Sequence, residues 1–113
     1  MMKDWNQYGA ELVSTLGRIG AVSPDLLKAH DQLAAAAPTE RKLDAKTREL
    51  IALAVAVTTR CDGCIAVHSE AARKAGASKE EVVEALGVAV ALNAGAALVY
   101  TARAFEAFTG ENG

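Results

Sequence analysis

Aromatic side chains are scarce in this chain: one Trp, two Tyr and two Phe among 113 residues. Proline occurs only twice, as do cysteine and histidine. A β-sandwich needs β-branched and aromatic residues to cover its sheets, so the shortage argues against one. Net charge is −2 with no basic cluster, which gives no electrostatic reason to expect a nucleic acid partner. The opening "MMKDWNQYGAEL" holds no uninterrupted apolar run of signal-peptide length. The expectation is a cytoplasmic protein whose two thiols meet a reducing compartment. There a close cysteine pair is more often catalytic or metal-binding than a structural staple.

What is abundant is alanine, at 25 residues. Short side chains let helix backbones approach closely, and 113 residues suffice for one domain with a modest core. The spacing predicts an all-α fold of five or six helices. Trp5, Tyr8, Leu12, Leu16 and Ile19 recur at helical steps, giving a first helix from about Asp4 to Ile19 closed by Gly20. Ser23 and Pro24 open a second helix, with Leu26, Leu27, His30 and Leu33 on one face and Pro38 as its stop. After the polar "PTERK", Asp44 caps a third helix reaching about Thr58, apolar on every side in "LIALAVAV" and therefore expected to be central and buried. A fourth helix starts near Cys61 and runs to Ala75, with Gly76 at its C-terminal cap. Ser78 and Glu81 form a capping box for a fifth, ending near Leu92, and a sixth runs from about Gly95 to Phe108 before the tail "TGENG".

The 18 residues between Glu84 and Arg103 carry no formal charge, which approaches the length of a membrane span. They are mostly Ala, Val and Gly, with Asn93 in the middle, and Ala and Gly insert weakly. The expectation is a buried pair of helices broken near Asn93-Ala94-Gly95, with no membrane partner. So apolar a C-terminal half is also expected to meet another subunit.

The chemistry-bearing residues gather in "CDGCIAVH", residues 61–68. At about 100° per residue, Cys61 and Cys64 lie about 60° apart and Cys64 and His68 about 40° apart, on one stripe. Helical side chains lean toward the N-terminus, so His68 leans back toward Cys64 as a thiol–base pair. A helix start favours thiolate through its partial positive charge and unpaired N–H groups; Asp62 opposes it. Gly63 is expected to leave the space between the sulfurs open. Two other readings stand beside the redox one: two buried core cysteines near a chance histidine, or three of the four ligands a structural zinc needs, with His30 a poor fourth on a different helix. Glu49 is either a first-turn carboxylate complementing the helix dipole or a half-buried proton relay. Trp5 and Tyr8 either form an apolar stripe or wall a substrate channel. Arg60 is a solvated turn residue or offsets Asp62.

The segment "RELIALAVAVTTRCDGCIAVHSEAARKAGASKEEVVEALGVAVALNAGA" resembles the core of the carboxymuconolactone decarboxylase superfamily, in its alkylhydroperoxidase D-like branch, over roughly residues 40–108. The resemblance rests on a glutamate twelve residues before C-x-x-C and a histidine four after it: Glu49, Cys61, Cys64 and His68. It implies an all-α oligomer, often a trimer or hexamer, with thiol-dependent peroxidase activity. By it Cys64 attacks a hydroperoxide, His68 activates Cys64, Glu49 joins the proton relay, and Cys61 resolves the product into a Cys61–Cys64 disulfide. A lipoyl-bearing or thioredoxin-like dithiol protein then reduces that bond. No cofactor and no metal are implied. The chain departs from the better-studied peroxidases in carrying Gly63 where they place a histidine. The alternatives are a redox sensor or scaffold with a switchable disulfide, and a superfamily decarboxylase or related enzyme acting on a lactone or quinone, though the decarboxylases lack the cysteine pair. Chemically, peroxide reduction needs a nucleophilic sulfur, a proton donor for the leaving oxygen and a second thiol to trap the sulfenic acid. Proximity to His68 favours Cys64 as attacker, whereas the helix dipole alone favours Cys61.

Overall fold

The computed structural model describes residues 1–36 and 40–110, and these form five helices. They are α1 (Trp5–Val22), α2 (Pro24–Ala35), α3 (Ala45–Thr59), α4 (Asp62–Lys74) and α5 (Lys79–Thr109). There is no strand among the described residues. Pro38, expected to stop α2, and the last three residues of the tail lie outside them.

Local chemistry explains the boundaries. Asp4 caps α1 by accepting the Gln7 N–H at 3.0 Å, and Asp44 caps α3 by accepting the Thr47 N–H at 2.8 Å. The capping box at α5 is complete: Ser78 Oγ accepts the Glu81 N–H, and Glu81 Oε1 accepts the Ser78 N–H, both at 3.0 Å. Gly76 ends α4 with a φ of +87°, a conformation in which a Cβ is strained. Arg60 ends α3 in the left-handed region at φ 56°, ψ 49°, and the next N–H, that of Cys61, donates back to the Ala56 carbonyl at 3.0 Å. That turn reverses the chain within two residues.

Two expected boundaries are corrected. Gly20 does not close the first helix; α1 runs on to Val22, and Leu27 of α2 packs against Gly20, where an added Cβ would lie 3.3 Å from its Cγ. Ser23, the single residue between α1 and α2, holds the N-cap position, but its side chain makes no capping bond. The break near Asn93-Ala94-Gly95 is also absent: α5 is one helix of 31 residues. Asn93 turns its polar group to use without breaking the helix, donating to the Ala89 carbonyl at 2.7 Å and to Thr58 Oγ1 of α3 at 2.9 Å.

The helices pack in an open order, α2 on α1, α1 on α4, α4 on α3 and α3 on α5. The core is where α3, α4 and α5 meet, and it consists of Leu53, Ala56, Ala72 and Ala89. α3 is central as expected, yet within one chain it is not buried all round, since Ile51 and Val55 are about half exposed. α5 is long and apolar enough to cross a membrane by length and composition, and little of its apolar stretch is buried against the rest of the chain. The radius of gyration is 18.7 Å. A compact chain of this length has about 13 Å.

Lys46 of α3 joins the start of α5 by an ion pair to Glu81 at 2.8 Å. This bond, with the Ser78 N–H, holds the Glu81 carboxyl below its ordinary value. A carboxyl depressed in the folded state contributes stability that is full above the unfolded pKa and is lost as pH falls through the lower folded value. Urea midpoints should therefore drop between about pH 5 and pH 3 in the wild type, and less steeply in Glu81→Gln. Equal slopes would mean that the pair contributes nothing.

Candidate active site

The Arg60 turn delivers Cys61 to the N-cap of α4. Asp62 and Gly63 occupy the first two helical positions, and Cys64 the third. Cys61 and Cys64 form a disulfide, with their α-carbons 5.2 Å apart. Cys61 Sγ also accepts the Cys64 backbone N–H at 3.1 Å, so a sulfur does the capping work that an oxygen usually does.

One turn beyond the disulfide, His68 Nδ1 meets Glu49 Oε2 at 2.7 Å. This bond spans the α3–α4 interface. Glu49 is the more sheltered partner, with its side chain 21% exposed against 37% for His68. The carboxylate fixes one ring nitrogen and leaves Nε2 for other work, the usual arrangement for an oriented general base. Among the described residues the ring makes no hydrogen bond to either sulfur, and its partner in the oxidised protein is Glu49 alone.

The space beside Gly63, expected to be open, is filled. A Cβ built on Gly63 would lie 2.7 Å from Cδ2 of Leu12, so α1 closes over the middle of the C-x-x-C turn. Arg60 pairs with no acid among the described residues; the cation at Asp62 is Lys3, at 2.6 Å. Lys3 was not legible as a site residue, because 59 positions separate it from Asp62. Its ammonium also lies 4.2 Å from the Tyr8 ring centre and 5.4 Å from that of Trp5. The two rings meet edge to face at 6.1 Å.

Trp5 and Gly9 also line a cleft of about 600 Å³ between α1 and α4, with Ala66, Ser69, Glu70 and Arg73 opposite. Neither cysteine nor His68 borders it. His30 is exposed on α2, near Asp31 at 3.8 Å, and is not brought to the cysteines. Among the described residues no cluster of three or more His, Cys, Asp or Glu side chains is arranged to hold a metal ion.

The family and the fold have known relatives. The sequence profile of the carboxymuconolactone decarboxylase family matches residues 24–107, and the chain belongs to that family. The match takes in α2 as well as the core from residue 40. The chain is 53% identical to an uncharacterized protein of Haemophilus influenzae over 109 residues, which cover 96% of each. It is 29% identical, over 99% of both chains, to an uncharacterized protein of Cupriavidus necator. The fold is similar to the crystal structure of an apo carboxymuconolactone decarboxylase family protein from Legionella pneumophila. That comparison gives a TM-score of 0.73 and 39% identity, covering 93% of this chain and 94% of the other.

Close packing of Leu12 on Gly63 sets a stability test. In urea melts Gly63→Ala should fall short of the roughly 1 kcal/mol that alanine's helix preference offers, because a Leu12 methyl must move aside. In a Leu12→Ala background the same change should be more stabilising than in the wild type. Equal effects in both backgrounds would mean that Leu12 is not what excludes a side chain at position 63.

Proposed function

We propose that the protein is a thiol-dependent peroxidase that reduces hydroperoxides through Cys61 and Cys64 and is recycled by an external dithiol. The observation that carries the reading is a disulfide on the first turn of α4, followed one turn later by a histidine fixed by a sheltered glutamate. Membership in the family is compatible with it.

In the reduced enzyme the Cys64 thiolate attacks one oxygen of the hydroperoxide. An S–O bond forms as the O–O bond breaks, leaving a sulfenic acid, and the departing oxygen takes a proton from His68 and leaves as an alcohol. The Cys61 thiol attacks the sulfenic sulfur, which forms the disulfide and releases water. Two electrons have passed from the thiols to the peroxide. A lipoyl-bearing or thioredoxin-like dithiol protein returns them by thiol–disulfide exchange and is itself oxidised to a disulfide. Glu49 holds His68 between proton transfers and shares the positive charge it acquires.

The working form is a homo-oligomer. The chain exposes 8985 Å². A folded monomer of 11.7 kDa exposes about 5,900 Å². The open helix order leaves α2 and α5 each with one packed neighbour, and Leu98, Val99, Phe105 and Phe108 of α5 all exposed. Burial of such surfaces against further copies, as in the trimer or hexamer that the resemblance implies, removes the excess from water.

In Cys61→Ser a brief peroxide pulse should leave a sulfenic acid on Cys64, read by trapping and mass spectrometry; sulfenic acid on Cys61 of Cys64→Ser, with none on Cys64 of Cys61→Ser, would reverse the roles. Peroxide consumption coupled to dihydrolipoamide or thioredoxin should be lost in Cys64→Ser and fall about 10²-fold or more in His68→Ala. Oxidation of the wild-type pair without turnover would instead fit a redox switch. Detergent-free sedimentation should give a mass of three or six chains. A monomer, or recovery with membranes, would overturn the assembly.

A further inference from the structure

The start of α1 is fastened to the start of α4 at several points. Lys3 Nζ donates to Asp62 Oδ2 at 2.6 Å, the rings of Tyr8 and Trp5 flank the ammonium, and Leu12 covers Gly63. A Cβ added to Gly9 would lie 3.9 Å from the Ala66 Cβ, so the two helix backbones run close together there. Asp62 is the residue between the first cysteine and Gly63, and its carboxylate is the one negative charge within the C-x-x-C turn. Left alone, it opposes thiolate formation on either side.

We propose that Lys3 is a positioning residue of the redox centre: held by Tyr8 and Trp5 against Asp62, it offsets part of that carboxylate's field and keeps the neighbouring thiols more acidic than Asp62 alone would allow. The aromatic pair matters because an exposed lysine on a flexible stem contributes little. Here cation–π contact helps hold the ammonium where it offsets part of the Asp62 field. The other ionisable groups around this corner do not do so. Asp4 is engaged in capping α1, Arg60 pairs with no acid among the described residues, and Glu49 and His68 hold each other a turn further on. The bond to Asp62 also raises the Lys3 pKa above its ordinary value, so the cation persists across the range in which thiols titrate.

This inference rests on reading the cysteine pair as redox-active, and its test is independent of turnover. The fully reduced protein is alkylated with iodoacetamide across pH, and the profile of the more acidic thiol is followed by mass spectrometry. Lys3→Met should raise the apparent pKa of that thiol by about half a unit, because Asp62 is then unopposed. Asp62→Asn should lower it, and adding Lys3→Met to Asp62→Asn should move it less than in the wild type, because without the carboxylate only the two rings hold the ammonium. Lys3→Arg should restore the wild-type profile. The Lys3→Met shift should also shrink as salt rises from about 0.05 to 1 M. Unchanged Trp5 emission would show that the N-terminus stays docked; if it changes, the direction of the Asp62→Asn shift decides. An unmoved profile in Lys3→Met with Trp5 docked, an equal shift in the Asp62→Asn background, or an Asp62→Asn profile that does not fall would overturn the proposal. None of these would touch peroxide turnover, whereas lack of turnover with the shifts intact would sink the peroxidase reading and leave the role of Lys3 standing.

Discussion

The α3–α4 hairpin is the constraint from which the other features follow. Arg60 adopts a left-handed conformation that costs a residue with a side chain about 1 kcal/mol or more, and the packing of α3 on α4, in which Leu53, Ala56 and Ala72 are buried, holds it there. Because the turn is so short, Cys61 falls on the N-cap and not inside a helix. Because alanines fill the interface, the two helices lie close enough for a glutamate on one to reach a histidine on the other. The same compactness leaves α3 with a free side, which α5 takes up through Ala89 and the Asn93–Thr58 bond.

Outside that hairpin the molecule is built outward in both directions and never closes on itself. α1 and α2 extend one end, and the distal half of α5 extends the other. An alanine-rich interior gives close approach but little apolar area per residue, so a single chain of this composition has a thin core. The charge pairs at Lys46–Glu81 and Lys3–Asp62 tie element starts together at the surface, where each adds modestly to stability and much to register.

Much of this was legible in the sequence. Helix class, all five helix starts and the cysteine stripe follow from periodicity and capping residues that act within four positions. The sequence could not show that Glu49 meets His68: equal rise on two antiparallel helices puts residue 49 level with about residue 72, a turn past the histidine. The expected break at Asn93 failed because an asparagine can satisfy its amide on the preceding turn and on a neighbouring helix. The opening expected at Gly63 failed because a missing side chain is as often an invitation to close packing as to a ligand. Lys3 was invisible because nothing local distinguishes one surface lysine from another.

The sulfur cap on α4 ties electron transfer to secondary structure. Cys61 Sγ accepts the Cys64 N–H in the disulfide, and any negative charge that Cys61 takes up after reduction strengthens that bond. Reduction exchanges a covalent clamp on the first coil of the helix for that hydrogen bond, and by thermodynamic reciprocity whatever steadies this coil more in one redox state than in the other shifts the electron equilibrium toward that state. Folding free energy and electron affinity are, at this one atom, two readings of the same bond.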